Sequence, residues 1–257
     1  MFQHLLHRLR QAAPVRVETV RKESLSESLI EELHAVSNAL MAEDLAHFRV
    51  HALTNDLVHI FRRWDTGAAV GFVFWRVIPI DVPGGRVILG GKMRVRPEYR
   101  KRGLHLLSGL LFYAQDKLSH PRSHHYALSM VSLFGFVSIA QSLVRYSLFE
   151  PRNASPEAQA IRKAFLAMAE ENHFRVDEET GLFHVNVFMT PETLSRYPAT
   201  YFDQPLARAY AAINPDFRTN GSMVGLWLPL SADNLMSVAR TVLRKLVRGA
   251  PPGHAPG

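Results

Sequence analysis

Met93-Arg94-Val95-Arg96-Pro97-Glu98-Tyr99-Arg100-Lys101-Arg102-Gly103-Leu104-His105 is the stretch from which the rest of the chain can be read. Its first residues close a run of β-formers that Pro97 ends. Arg100, Lys101, Arg102 and Gly103 then make a basic turn, and an amphipathic helix over 104–118 begins directly after it. The first backbone N–H groups of a helix have no intrahelical partners and lie at the positive end of its dipole. A helix opened by a basic glycine turn is therefore suited to an anion such as a pyrophosphate. Gly103 lets the backbone approach that anion with no Cβ in the way.

Working outward, the pattern before the turn predicts a strand at 15–20 and a helix capped by Ser26 or Ser28 that runs to about Met41. Strands follow at 57–64, 69–80 and 86–95, joined by turns at Asp65-Thr66-Gly67 and Pro83-Gly84-Gly85. After the helix at 104–118 come a strand at 126–131, a helix within 133–143 and a strand at 144–149. The expected fold is α/β (α+β), with a mixed, mostly antiparallel central sheet flanked by helices. Beyond Pro151 the pattern restarts: a helix capped by Ser155, a hairpin over 174–187, and a short helix opened by Thr190-Pro191-Glu192. A helix at 206–213, a strand at 222–230 and a last helix at 232–247, capped by Ser231, complete it. The expected organisation is a basic amphipathic segment at 1–14, a ligand-binding domain at 15–150, an α+β extension at 151–249 and a Pro/Gly-rich tail at 250–257.

The central stretch resembles motif A of the GNAT (general N-acetyltransferase) superfamily, Arg/Gln-x-x-Gly-x-Gly/Ala after a strand and opening a helix. Arg100, Gly103 and the preceding Val95, Pro97, Glu98 and Tyr99 carry the likeness, and the element order over 15–150 agrees with it. His105 departs from the pattern, standing where the family has Gly or Ala. The resemblance implies acetyl-CoA or a longer acyl-CoA as co-substrate and an enlarged family member with a C-terminal extension. The pyrophosphate would lie on Arg100, Lys101, Arg102, Gly103, Leu104 and His105. The pantetheine arm would run along the strand at Met93 and Val95, beside the strand at 126–131. An amine, small-molecule or protein, would attack the thioester directly.

The resemblance also implies a base and a donor for the leaving sulfur, and here the chain is less explicit. Many members place an Asn and then a Tyr in the helix after the fifth strand, and residues 132–143 contain neither. Tyr146 is the donor candidate and Ser132 takes the Asn-like position; His124, His125, Glu43 and Asp44 are candidate bases. The implied activity is an acyl-CoA-dependent N-acyltransferase; the alternative is a non-catalytic acyl-CoA-binding or regulatory module on the same scaffold.

Composition narrows the classes further. Of 257 residues 47% are apolar and 21% charged, the balance of a globular protein with a sizeable core. There is no Cys, hence no disulfide, thiolate metal site or cysteine nucleophile, in keeping with a reducing, cytoplasmic setting. His120, His124 and His125 have no second cluster or supporting carboxylate, and no metal is expected. The net charge of +7 gathers in compact patches at 1–22, 92–102 and 235–248. Such patches point to local anionic partners and not to nucleic acid. The first patch is amphipathic and predicts weak membrane-surface contact through the N-terminal helix. The uncharged run at 128–144 would span about 25 Å as a helix, short of the roughly 30 Å hydrocarbon core. The pattern leaves the oligomeric state open.

Overall fold

The computed structural model describes residues 15–40, 44–100, 102–150, 155–185, 188, 194–195 and 197–247. The first half of the chain runs β1 (Val15–Arg21), α1 (Glu27–Asn38), α2 (Leu45–Thr54), β2 (Leu57–Arg63), β3 (Ala69–Pro79), β4 (Gly85–Val95) and α3 (Leu104–Ser119). It continues with β5 (His124–Val131), α4 (Leu133–Ala140), β6 (Ser147–Leu148), α5 (Pro156–Glu171), β7 (Arg175–Val176) and β8 (Leu182–His184). The rest is α6 (Ala199–Phe202), α7 (Pro205–Ile213), β9 (Ser222–Pro229) and α8 (Ala232–Val247). Strands hydrogen-bond in the order β1-β2-β3-β4-β5-β9-β8-β7, with β6 on β9. The pair β4–β5 is parallel, whereas β1–β2, β2–β3, β5–β9, β6–β9, β7–β8 and β8–β9 are antiparallel. This is the mixed, mostly antiparallel sheet flanked by helices that the GNAT resemblance implies. A parallel pair needs a crossover connection, and here the connection is the basic turn followed by α3.

The chain divides into two compact units. One takes in residues 1–77, 90–121 and 235–257; the other 78–89 and 122–234. The cut does not fall near residue 150, because β9, from the region expected to be an extension, pairs directly with β5.

In the first unit β2 and β3 read as near-continuous apolar runs because both of their faces are covered. Val58, Ile60, Phe72 and Phe74 pack with Ile30 and Leu33 of α1 and Phe48 of α2. The opposite face offers Phe61, Val70 and Val73 to Leu104, the first residue of α3. Gly71 is required by a close approach: a Cβ there would stand 2.5 Å from the Arg94 carbonyl oxygen and 2.9 Å from the Val95 Cα. Its absence lets β3 and the end of β4 come together just before the basic turn.

Helix α2 is absent from the sequence expectation. Its apolar residues do not form one stripe: Phe48 and Ala52 are buried, while Val50 and Leu53 face outward. The signal that marks it is its cap. Asp44, a candidate base, accepts a hydrogen bond from the His47 backbone N–H at 3.0 Å, which holds its carboxyl below the usual range. Asp44 is thus a helix cap with an acidified carboxyl, the wrong direction for a base. Glu43 lies outside the described residues.

In the second unit, β5 and β9 are sandwiched. Phe165 and Ile161 of α5 pack with Leu128, Phe149, Phe183 and Trp227. Phe136 and Val137 of α4 and Tyr210 of α7 pack with Val224 and Leu226. His124 and His125, ahead of the strand expected at 126–131, are the first two residues of β5. The expected strand at 144–149 shortens to the two residues of β6. The segments 1–14 and 250–257, and the expected short helix at 190–192, lie outside the described residues.

Candidate functional site

The approach to the basic turn is irregular in a defined way. Lys92 of β4 has φ 46, a left-handed conformation uncommon for a side chain larger than Asn. It re-aims the strand immediately before Met93, which is exposed, and Val95, which is part-buried. Pro97–Tyr99 forms one turn of 3-10 helix, closed by the Arg100 N–H donating to the Pro97 carbonyl at 3.1 Å. The exposed Arg100 also donates from Nε to the Val95 carbonyl at 3.1 Å, tying the turn to the end of β4. Lys101 lies outside the described residues.

Gly103 is the N-cap of the 16-residue helix α3, with φ 73 and ψ 16, a conformation in which glycine has no Cβ penalty. Ser, Thr, Asn or Asp would normally supply an oxygen to the first free N–H groups of such a helix. Here no side chain caps it and its first turn carries no acid. Leu104 is 5% exposed and its side chain belongs to the core, so only its backbone can serve a ligand. Arg102 rests its guanidinium 5.7 Å from the Tyr99 ring centre, and its Nε is buried with no hydrogen-bond partner. His105 keeps some exposed surface, but its Nε2 is buried and has no partner either. Burial, and then the charge of Lys245, push the His105 imidazole down to about 4, so it is neutral at pH 7. Lys245 comes from α8: its Cδ lies 3.1 Å from the position that a Cβ on Gly103 would take. The turn therefore presents free helix N–H groups, Arg102, His105 and Lys245, and its elements suit a phosphate-type anion.

A buried relay anchors α3 one turn further on. The Trp75 Nε1–H donates to Ser108 Oγ at 2.8 Å, and Ser108 Oγ lies 2.7 Å from His59 Nδ1. Since Trp can only donate, Ser108 Oγ accepts from the indole and bridges it to the His59 ring. Trp75 also stacks on Phe112, with ring centres 5.4 Å apart. His59 is 1% exposed and Ser108 is fully buried, so the relay is structural and not a nucleophile with its base. A Ser108→Ala variant is expected to lose about 1–3 kcal/mol by stranding the indole N–H and the imidazole. Denaturant titration measures the loss, and tryptophan emission reports the change around Trp75.

The candidate catalytic residues lie in the second unit. Ser132 caps α4, its Oγ accepting from the Gly135 N–H at 3.5 Å. Tyr146 is part-buried and sets its ring edge-on to Phe136 at 5.8 Å, so Ser132 and Tyr146 both sit against α4. His124 stands apart from them. It opens β5 opposite Gly85, and Ser132 follows the last residue of the same strand, roughly 25 Å further on at about 3.3 Å per residue. His125 is 5% exposed, with Nδ1 3.2 Å from the Ser123 carbonyl. Sequence reading missed Lys245 as part of the turn, and also the His59–Ser108–Trp75 relay. Only the charge patch at 235–248 hinted at the former. Among the described residues no group of three or more His, Cys, Asp or Glu is placed to hold a metal, and no helix is long and apolar enough to cross a membrane.

No protein-family model matches the sequence, and no curated protein matches it. Solved structures do resemble it. A GCN5-related N-acetyltransferase from Brucella melitensis is 13% identical, with 90% of this chain and 82% of that one covered at a TM-score of 0.40. The ribosomal-protein-S18-alanine N-acetyltransferase from Escherichia coli is 12% identical, covering 84% and 95% at 0.36. An acetyltransferase from Trypanosoma brucei is 17% identical, covering 51% and 93% at 0.39.

Proposed function

We propose that this chain is an acyl-CoA-dependent N-acyltransferase of GNAT type whose basic turn holds the pyrophosphate of CoA. The observation that carries this reading is the uncapped, acid-free start of α3 at Gly103, with the buried nitrogens of Arg102 and His105 unpartnered beside it. Arg100, Arg102, the N–H groups of the first turn of α3 and, outside the described residues, Lys101 hold the anion. The β4 backbone at Met93 and Val95 takes the pantetheine arm, with the left-handed Lys92 turning the strand just before it. The co-substrate, acetyl-CoA or a longer acyl-CoA, supplies an activated thioester. An amine on a small molecule or a protein attacks its carbonyl, the C–N bond forms and the C–S bond breaks. One proton leaves the amine and one reaches the thiolate. No covalent enzyme intermediate is needed, consistent with a chain without Cys. Tyr146 is the candidate donor to sulfur; the setting is cytoplasmic.

A second reading is favoured by one observation. Ser132 spends its hydroxyl on capping α4, and α4 itself contains no Asn or Tyr. The chain would then be an acyl-CoA-binding module without turnover. Calorimetry of the protein with CoA, acetyl-CoA and palmitoyl-CoA, followed by free-thiol release across a panel of amines, separates the two. Saturable binding with thiol release supports the transferase, and saturable binding without release supports the module. A folded protein that binds none of the three removes both.

A further inference from the structure

The described cations of the turn include one that no part of its own segment supplies. Lys245 belongs to α8, yet its side chain lies across the glycine that opens α3: Cδ and Cβ are 3.1 and 3.7 Å from the position of a Cβ on Gly103. It is also close enough to His105 for its charge to weigh on that imidazole. Its neighbour along the helix, Arg244, donates to Thr241 Oγ1 at 3.1 Å, and burial together with the Arg244 charge holds the Lys245 ammonium below the usual lysine range. The last turn of α8 is basic, and the first turn of α3 carries no acid. A half-buried lysine thus lies over the positive end of a helix and close to His105, and among the described residues no carboxylate pairs with it. Like charges brought together out of water destabilise one another unless an anion completes the group. The C-terminal dipole of α8 favours a Lys in its last turn, but it does not account for the path of the stem over Gly103.

We infer that Lys245 is a contact to the CoA pyrophosphate, so that α8 forms the outer wall of the site and reads two phosphates where the turn alone would offer backbone and arginine. The inference rests on the acyl-CoA reading above. The stem packs on Gly103 and positions the ammonium, which donates to a pyrophosphate oxygen as a compact point charge.

The test is calorimetry of the full chain with CoA and with 3′-dephospho-CoA, comparing wild type, Lys245→Met and Lys245→Arg, with thermal unfolding of each. Met keeps the apolar stem and removes the charge. The expected result is a loss of about tenfold in affinity for Lys245→Met, equal for both ligands, with recovery in Lys245→Arg, while the unfolding midpoint of ligand-free Lys245→Met is no lower than that of wild type. Equal binding by Lys245→Met and wild type overturns the inference and leaves the CoA reading standing. Tighter binding by Lys245→Met also overturns it, since the ammonium would then be an obstacle. A loss seen with CoA but not with 3′-dephospho-CoA moves the contact to the 3′-phosphate and overturns the pyrophosphate assignment. Wild type that binds neither ligand sinks the CoA reading itself, and this inference with it.

Discussion

Gly103→Trp is expected to lower CoA affinity by at least about 100-fold while leaving a folded protein. Two effects add. Any side chain at φ 73 pays a conformational cost of roughly 1–3 kcal/mol, which thermal unfolding will register as a modest shift. An indole also has to displace the Lys245 stem, 3.1 Å from the first atom it adds, and then covers the free N–H groups of α3. Gly103→Asn is the graded companion. Asn tolerates the left-handed region, so it isolates the steric part of the loss from the backbone part. CoA binding by Gly103→Trp at the wild-type level, in a folded protein, would take the turn out of the ligand site.

Acid is expected to destabilise the fold well above the pH at which carboxylates are protonated. His59 is held at about 4 by burial, and His105 at about 4 by burial and the Lys245 charge, against an ordinary 6.5. Between those values the unfolded chain takes up protons that the folded chain refuses, so stability falls as pH falls from 6.5 toward 4 and is flat above that window. Each group contributes up to about 1.4 kcal/mol per pH unit, or roughly 3 kcal/mol over the window for His59, which is 1% exposed. His105 retains exposed surface and contributes less. Glu32, held below its ordinary value by Arg62, acts in a lower window, under about pH 4.5. Denaturant midpoints at half-unit steps from pH 7.5 to 4.5 measure the slope. His59→Gln should be less stable at pH 7 and flatter below 6.5; an unchanged slope would mean that His59 is not a buried neutral group.

What could be read from the sequence was what local chemistry specifies. Alternation and turn residues located β1 to β4, because Asp65-Thr66-Gly67 and Pro83-Gly84-Gly85 punctuate runs of β-formers. Ser155 and Ser231 marked helix starts that the structure shows them capping, and of Ser26 and Ser28 it is Ser26 that caps α1. The turn at Gly103 was visible for the same reason: strand end, charge, glycine and helix start are consecutive. Helix α2 was missed because its apolar residues go round the helix, and only Asp44 announced it. His124 and His125 followed Pro121 and looked like loop residues until pairing with β4 and β9 drew them into β5. The pairing of Lys245 with Gly103 and of His59 with Ser108 depends on which elements pack together, which no local pattern records.

The path of the chain through its two units has a consequence for synthesis. Residues up to 121 of the first unit must wait for the intervening 113 residues, 122–234, before α8 can be made. At the usual elongation rates that delay is roughly 6 to 23 seconds, far longer than a helix takes to form. The second unit has all of its residues by position 234, before α8 is complete. Throughout the delay Gly103 and His105 stand without Lys245 and the wall that α8 supplies. Chains truncated after residue 234 and freed from the ribosome should therefore bind chaperones or be cut by protease at the α3 turn, and chains with α8 complete should not.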